Sequence, residues 1–446
     1  MKKRIGKLNL VSGSRKVFLL QAVAILLFMI LSTSSPGAGE EVGPAYALVN
    51  CKIFPVSGPP VEKGTIIIRD GLIEALGYAE KIKIPEDAEI IEAGGLTAYP
   101  GLISAHTNLF LEIKQQEQPQ TPDEFLSSFS QLSEPQEFPE LQIFKELKPK
   151  KQTLESWHKI GVTTVVIAPG RGIFQGQSVV LNLNSDQPNQ MVLKQPWALH
   201  INFTTERGIY PSSLMGTVAF IRQKFYDTLH YDLHKKKYLS SPVFLKRPEY
   251  DHFLEALIPF VVDKKPVVFQ CNNQEDIKRA LRLIEEFKLK GVLTGCNEAW
   301  RVADHLKGAG VPLLVTVDFR PATASIYSQQ GEAVRKKAEA EVFPANAAHL
   351  QKENITFALT GFGLSESSFR KNIQAAIKAG LSPEAALKAL TVEPARILGL
   401  ERQLGTLEMG KIANLILTRG DLFDEKTKVI KVLVDGILFN YEEKGQ

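Results

Sequence analysis

The stretch "AYPGLISAHTNLFL", Ala98–Leu111, decides the fold that we predict for this chain. It begins with the apolar residues of a buried strand and ends in polar ones. His106 and Asn108 follow the Pro-Gly pair and are separated by a single residue. Side chains two positions apart on a strand point to the same face, so we expect both to lie together at the end of this strand.

Further apolar runs along the middle of the chain can each form a buried strand. They are "TTVVIAPG", "WALHINFT", "PVVFQCNN", "GVLTGCN", "VPLLVTVDF" and "ITFALTGFG". Helical patterns such as "DIKRALRLIEEFKL" and "SSFRKNIQAAIKAG" lie between several of them. Alternating strands and helices predict right-handed βαβ units and a parallel sheet. We therefore predict an α/β fold with a (β/α)₈ TIM-type barrel, of which seven strands are evident, and a doubly wound sheet is the alternative.

Both ends of the chain have the composition of β-strands. The first end reads "YALVNCKIFPVSGPPVEKGTIIIRDGLIEALG", typical of an antiparallel meander, and the last reads "LGTLEMGKIANLILTRGDLFDEKTKVIKVLVDGILFN". Each end alone has too few strands to be stable, so they predict one small composite β-sandwich domain built from both termini. The predicted domains are a signal peptide (1–40), the first part of the β-sandwich (41–98), the barrel (99–394) and the second part of the β-sandwich (395–446).

The N-terminus predicts export from the cytoplasm. A basic segment precedes "VFLLQAVAILLFMIL", Val17–Leu31, which is shorter than the roughly 20 residues of a stable membrane span. A cleaved signal peptide and a periplasmic or extracellular location are therefore expected, and retention by an uncleaved N-terminal membrane anchor is the alternative. The net charge is +4, but the lysines and arginines are spread along the chain and form no basic stripe. This distribution excludes the class of nucleic-acid-binding proteins.

Two segments do not fit the strand–helix repeat. Glu112–Gln142 is rich in Gln, Pro and Glu, which predicts an exposed excursion over the end of the first strand. The segment "GRGIFQGQSVVLNLNSDQPNQMVL" predicts a β-hairpin inserted after the second strand.

Several motifs together resemble the amidohydrolase superfamily. "GTIIIRDGLIEALG", "GLTAYPGLISAHTN" and "ALKALTVEPARILGLERQLGTLEMGKIANLIL" resemble its opening sheet, its first barrel strand and its closing segment. "PSSLMGTVAFIRQKFYD", "GCNEAWRVADHL" and "GKIANLILTRGDLFDE" resemble the imidazolonepropionase-like, secreted amidohydrolase-related proteins. The resemblance implies hydrolysis of C–N bonds, often of cyclic amides, by metal-activated water. A catalytic metal lowers the pKa of its bound water from about 16 to about 7.

The family pattern transfers to few of the corresponding positions. His106 matches the first histidine of the His-x-His pair, whereas Asn108 stands at the second and Ser104 stands where an aspartate is usual. At later strand ends, where the family has histidines and a catalytic aspartate, the chain has Gln270, Cys271, Asn272, Gly295, Cys296, Asn297, Gly361 and Phe362. A catalytic zinc usually has three protein ligands, so the sequence predicts a degenerate metal site with most ligand positions substituted.

Cys271 and Cys296 end strands that are predicted to be consecutive. Neighbouring strands lie about 4.8 Å apart, so the two sulfurs can meet. Three interpretations stay open: two buried free thiols, a disulfide, or soft metal ligands beside His106. Zinc or another divalent metal held by His106, Cys271 and Cys296 is therefore a hypothesis.

Other polar residues near strand ends complete a candidate pocket. Its members are Asn108, Glu206, Gln270, Asn272, Glu298, Asp318 and Gly361. Glu206, Glu298 and Asp318 are carboxylates that can serve as general bases, but the sequence pairs none of them with a nucleophile, and the catalytic residue stays unknown. His200 is predicted to face a wall between strand and helix, and His230 and His234 are predicted to lie on an exposed helix.

Two hypotheses for the function follow. The first is an amidohydrolase-related enzyme for C–N bonds of cyclic amides, with weak or no classical metal-dependent activity because its site is degenerate. The second is a non-catalytic pseudoenzyme that serves as a binding or scaffold module and can pair with an active homologue. A small polar molecule is the expected ligand, and a homo-oligomer or a homologous amidohydrolase subunit is the expected protein partner.

Overall fold

The computed structural model describes residues 45–112, 137–205, 210–320 and 342–442. The predicted signal peptide, most of the predicted excursion Glu112–Gln142, and Glu206 lie outside these ranges. Within them, no helix combines the length and apolar composition that crossing a bilayer requires.

The described residues form three sheets with helices between their strands. The strands are β1 (Ala45–Ile53), β2 (Val61–Arg69), β3 (Leu72–Tyr78), β4 (Ala88–Glu92), β5 (Thr97–Pro100), β6 (Leu102–Thr107), β7 (Val162–Ile167), β8 (Phe174–Gln177), β9 (Val179–Asn182), β10 (Val192–Lys194), β11 (Leu199–Asn202), β12 (Val267–Cys271), β13 (Gly291–Gly295), β14 (Leu313–Thr316), β15 (Phe357–Thr360), β16 (Leu415–Arg419), β17 (Lys428–Val434) and β18 (Ile437–Asn440). The α-helices are α1 (Lys151–His158), α2 (Pro188–Met191), α3 (Leu214–Ser240), α4 (His252–Val261), α5 (Gln274–Phe287), α6 (Ala303–Ala309), α7 (Asn346–Lys352), α8 (Glu366–Lys378), α9 (Pro383–Leu390) and α10 (Val392–Leu398).

The first sheet combines strands from both ends of the chain. Its order is β18-β17-β16-β5-β1-β2-β3, and β4 pairs with β1 in parallel. The antiparallel pairs β1–β2 and β2–β3 form the meander that the sequence predicts. The two chain ends meet where β5 pairs antiparallel with β16, with Tyr99 opposite Ile416.

The stretch that decided the fold prediction is divided between two sheets. Gly101 separates β5, in the composite sheet, from β6, in the sheet that carries His106. A Cβ atom at this glycine would lie 2.1 Å from Thr163 Oγ1, so a larger residue does not fit without a shift of the neighbouring strand. The N–H of Gly101 donates to the carbonyl of Asn414 at 2.9 Å, which ties this break to the C-terminal segment.

All seven parallel strands suggested by the sequence are present. β6 pairs with β7, and β11 to β15 pair in chain order. The inserted segment after β7 contributes β8, antiparallel to β11, and β9, antiparallel to β7, and β9 also forms a hairpin with β10. Ser178 lies between β8 and β9, and its N–H donates to the carbonyl of Ala198 at 3.0 Å.

The two faces of these strands have different surroundings. On β12, Val267, Phe269 and Cys271 belong to the large apolar core that also contains the buried face of α5. Val268 on the opposite face belongs to a second apolar cluster with its neighbours Val292, Leu314 and Ala358. We call the face that carries this second cluster the inner face, because alternate residues of every strand from β12 to β15 share it.

A buried polar network joins β9 to the composite sheet. Asn414, from the "GKIAN" motif, donates from Nδ2 to Asn182 Oδ1 at 2.9 Å and accepts from the N–H of Asp435 at 2.8 Å. The Asp435 carboxylate accepts from the amide groups of Asn182 and Asn184, each at 2.6 Å. Burial raises the pKa of Asp435, and these two amide donors act in the opposite direction.

Candidate active site at the carboxyl ends of the parallel strands

Polar side chains on neighbouring strands come together on the inner face. Asn202 pairs in register with Gln270, and Gln270 pairs in register with Thr294. The Asn202 amide donates to Gln270 Oε1 at 3.2 Å. Because the carboxyl ends of parallel strands share one edge, these residues form a continuous polar row near the end of the strands.

His106 joins this row from β6. Its Nδ1 atom lies 3.2 Å from the hydroxyl oxygen of Thr294, and both side chains are buried. The β6–β7 pairing is irregular between Ser104 and Thr107, so simple alternation along β6 does not hold at His106. The structure therefore confirms that His106 lies at the strand ends, but its contact there is a hydroxyl group on β13.

A column of aromatic rings surrounds His106. The His200 ring stacks on it with centroids 5.5 Å apart and 7° between the planes. The Phe362 ring stacks on it at 4.6 Å and 21°, and the Trp197 ring contacts His200 edge-on at 6.3 Å. His106 is thus stacked between rings from two separate segments of the chain, and Trp197 extends the column beyond His200.

The prediction that His200 faces a wall between strand and helix is wrong. Leu199 and Ile201 belong to the large core against the helices, so the intervening His200 points to the inner face. The sequence also gave no role to Thr294 or Phe362. Alternation along "GVLTGCN" could have placed Thr294 on the face opposite Leu293, but its contact with His106 depends on distant strands.

Burial disfavours the charged form of both histidines of the site. Burial lowers the pKa of His106 to about 3. Burial, and then the proximity of His106, lower the pKa of His200 well below its usual value. With Asn202, Gln270 and Thr294, they form a set of polar groups that carries no formal charge.

Several polar atoms in this region are buried and have no hydrogen-bond partner among the described residues. They are Ser104 Oγ, Trp197 Nε1, His200 Nε2, Asn202 Oδ1 and Asn297 Oδ1. Buried polar groups are normally paired with protein, ligand or ordered water. Of these atoms, Asn202 Oδ1 belongs to the polar row and His200 Nε2 to the ring column, so each can form one further hydrogen bond at the site.

The remaining candidate pocket residues occupy different positions. Asn108 Oδ1 accepts from the N–H of Gly363 at 3.1 Å, which links the end of β6 to the loop that carries Phe362. Asn272 is exposed. Gly361 is buried, and a Cβ atom there would lie 2.5 Å from Phe369 Cδ2, so its role is to allow close packing.

The two described carboxylates of the candidate pocket already have partners. Glu298 accepts from the N–H of Gln274 at 3.0 Å. Asp318 pairs with Arg320, with 2.8 Å between Oδ1 and Nε. These partners are not members of the His106 column, and Glu206 lies outside the described residues.

The thiols Cys271 and Cys296 are adjacent, buried and free. They lie in the large core against the helices, and the N–H of Cys296 donates to the carbonyl of Cys271 at 2.8 Å. Burial, with Cys296 beside it, raises the pKa of Cys271. Of the three interpretations, the structure has the free thiols and not the disulfide.

The donor atoms of the described residues do not fit a catalytic zinc. Such a centre needs about three protein ligands. Across the four described ranges, no group of three or more His, Cys, Asp and Glu side chains is arranged to hold a metal, so His106 is not brought together with Cys271 and Cys296. His106 Nδ1 has the Thr294 hydroxyl as its neighbour, and Asn108 Oδ1 accepts from a backbone N–H.

Comparison with known proteins confirms the resemblance to amidohydrolases. The model of the amidohydrolase family matches residues 275–438. The imidazolonepropionase of Bacillus cytotoxicus is 24% identical over 388 residues, covering 80% of this chain and 83% of that protein. The crystal structure of an amidohydrolase from Thermotoga maritima superimposes with a TM-score of 0.75 at 27% identity, covering 89% of this chain and all of that one. The chain is therefore similar to amidohydrolases along most of its length.

Two further proteins match over shorter segments. The 5-methylthioadenosine/S-adenosylhomocysteine deaminase of Moorella thermoacetica is 40% identical over 60 residues, and the enamidase of Eubacterium barkeri is 41% identical over 54. This chain spans only 14% of the length of each of these two relatives. Both names describe reactions at C–N bonds, which agrees with the general chemistry of the family.

Proposed function

We propose that this amidohydrolase-like chain binds an uncharged small molecule with an amide group, and that its hydrolysis by a metal-bound hydroxide is weak or absent. The observation that carries the proposal is the uncharged polar row of Asn202, Gln270 and Thr294 beside His106. A charged ligand would lose its hydration there without gaining an opposite charge.

The ligand chemistry follows from the polar atoms that lack partners. Asn202 Oδ1 is an acceptor, and His200 Nε2 donates or accepts according to its tautomer. An amide presents an N–H and a carbonyl side by side, so it can satisfy groups of both kinds. Cyclic amides suit the site because they keep both groups on one edge of a small rigid ring.

We further infer that the parallel strands close into a (β/α)₈-type barrel spanning residues 99–394. Two contacts support closure: β15 lies beside β6, and the β8–β9 segment pairs with β11 on one side and β7 on the other. In such a barrel, the ligand site lies at the carboxyl ends of the strands. The proposal also includes a composite β-sandwich domain built from residues 41–98 and 395–446. It further includes export of the chain from the cytoplasm and its pairing with a homologous subunit.

A hydrolase with an unusual site is the second candidate. It is supported by the TM-score of 0.75 to a Thermotoga maritima amidohydrolase and by the C–N chemistry in the names of the relatives. In that case Glu206 is the carboxylate to test as a general base, because Glu298 and Asp318 already have partners in the described structure.

The experiment combines metal analysis with calorimetry on the full chain. Succinimide is the neutral cyclic amide, and succinamate is its open, negatively charged counterpart. We expect succinimide to bind at least about tenfold more tightly, which corresponds to about 1.4 kcal/mol. Gln270→Leu should remove this preference, and Thr163→Val near the start of β7 is the control, because the buried Thr163 hydroxyl has no hydrogen-bond partner among the described residues and lies away from the carboxyl ends of the strands.

Two results would overturn the proposal. Equal affinity for succinimide and succinamate would contradict an uncharged site. Stoichiometric zinc that is lost in His106→Ala, together with succinimide ring opening that depends on this zinc, would replace the binding function by metal-dependent hydrolysis.

A further inference from the structure

Exposed apolar side chains are concentrated in one segment of the surface. Sixteen large apolar side chains are exposed among the described residues, and eight of them lie within residues 226–250. Those eight are Tyr226, Leu229, Leu233, Leu239, Val243, Phe244, Leu245 and Tyr250. Single exposed apolar residues are ordinary, but a concentration of this kind indicates a binding surface.

The outermost part of this segment is the turn that follows α3. We call Leu239, Val243, Phe244 and Leu245 the apolar tip. Phe244 is 103% exposed, Leu239 74% and Val243 65%, so neighbouring side chains give Phe244 no cover. Phe244 also has a φ of +63°, in the left-handed region that bulky residues rarely adopt. The tip therefore projects from the surface and does not form a flat patch.

Basic side chains surround the apolar tip. Lys235, Lys236 and Lys237 precede it at the end of α3, and Lys246 and Arg247 follow it. The acidic residues nearby in sequence are Asp232, Glu249, Asp251 and Glu255, and three of them pair with Lys236, Lys246 and Lys235.

The lysine is the more exposed partner in two of these three pairs, and in the third, Lys246–Glu249, both side chains are exposed. In the Lys236–Asp232 pair the lysine side chain is 63% exposed and the aspartate 14%. In the Lys235–Glu255 pair the lysine is again the more exposed partner. Lys237 and Arg247 make no ion pair within the described part of the chain.

We propose that the apolar tip inserts into the interfacial layer of a membrane that contains anionic lipid. Projecting apolar and aromatic side chains bordered by lysine and arginine suit the boundary between acyl chains and negatively charged headgroups. A second copy of the chain is a less suitable partner for the apolar tip than a membrane. A symmetric contact would place the same five basic residues of two copies against one another.

The test places an environment-sensitive fluorophore on the tip of the full chain. The three native cysteines are buried, so Val243→Cys can be labelled selectively with a nitrobenzoxadiazole probe. Met409→Cys is the matched control, because Met409 is 75% exposed and lies outside the segment. Any membrane insertion of Val17–Leu31 affects both labelled proteins equally.

The vesicles contain phosphatidylcholine alone or with roughly 30% phosphatidylglycerol. With anionic vesicles we expect a blue shift and at least about a twofold rise in emission at position 243, and no change at 409. Phe244→Asp should weaken binding at least about tenfold, and Lys237→Glu with Arg247→Glu should weaken it and reduce its salt dependence.

Two outcomes would overturn the proposal. The first is an unchanged emission at position 243, or a change equal to that at position 409. The second is a shift at position 243 that requires no vesicles and grows with protein concentration, which would assign the tip to a second copy of the chain.

Discussion

The contact between Thr294 and His106 can be tested by removing a single hydroxyl group. Thr294→Val keeps the branched shape of the side chain but has no hydroxyl group to form a hydrogen bond with His106 Nδ1. Thr294 is 1% exposed and His106 5%, so water has little access to replace the lost partner. The substitution therefore leaves a buried imidazole nitrogen without its hydrogen bond.

The expected loss can be estimated from the burial of both groups. A buried polar atom left without a partner costs about 1–3 kcal/mol, whereas the net value of an ordinary hydrogen bond is about 0.5–1.5 kcal/mol. Thr360→Val is the matched control, because Thr360 is fully buried and its hydroxyl lies 3.5 Å from the carbonyl of Val315. We expect Thr294→Val to reduce the free energy of unfolding by about 1–2 kcal/mol more than the control.

The assay is urea unfolding of both variants at pH 7, followed by tryptophan fluorescence. The denaturant slope must stay constant for the midpoints to be compared. Nitrogen NMR of the His106 ring provides an independent readout, because loss of the Thr294 contact should change its tautomer balance. Equal midpoints for the two variants, with an unchanged His106 spectrum, would refute the assigned contact.

Three further predictions concern the buried polar groups. Asp435→Ala should lower the free energy of unfolding by about 2–4 kcal/mol, because the Asn182 and Asn184 amide groups both lose their acceptor; an unchanged denaturation midpoint would contradict this. His158 is buried with a pKa of about 4, so the unfolded chain takes up its proton first and stability falls as the pH drops from about 6.5 towards 4. His158 should contribute about 2 kcal/mol to the loss between pH 7 and 5, so the loss should shrink by about this amount in His158→Phe, and an unchanged pH slope would exclude this contribution. The three free cysteines should react with Ellman's reagent only slowly in the native protein and give three equivalents after unfolding without reductant, whereas a single equivalent would indicate a disulfide.

The strands of the site could be predicted because the information for them is local. The apolar runs that end at His106, Asn202, Gln270, Gly295 and Thr360 are each visible as short stretches between turn residues. The same holds for the β-rich ends, whose strands share one sheet. Local patterns of this kind depend on the period of the strand and need no knowledge of its neighbours.

The contacts within the site could not be predicted in the same way. The predicted direction of the His200 side chain was wrong because helix-facing and inward-facing residues alternate along a strand and differ by one position. The register of β11 with β8 and β12 determines which residues face inward. The role of Phe362 was missed because its ring reaches His106 from a residue 256 positions later in the chain.

The sequence by itself determined the kind of elements, their order and the family resemblance, because composition and spacing along the chain are enough for these. It also placed His106 at the end of its strand and Asn108 where a second histidine was expected. Only the tertiary structure decided that His106 contacts Thr294 and stacks between His200 and Phe362, and that Cys271 and Cys296 lie on the helix side. The physical reason is that these contacts depend on strand register, on the irregular pairing after Ser104 and on loops closing over distant strands, none of which is encoded in one short stretch.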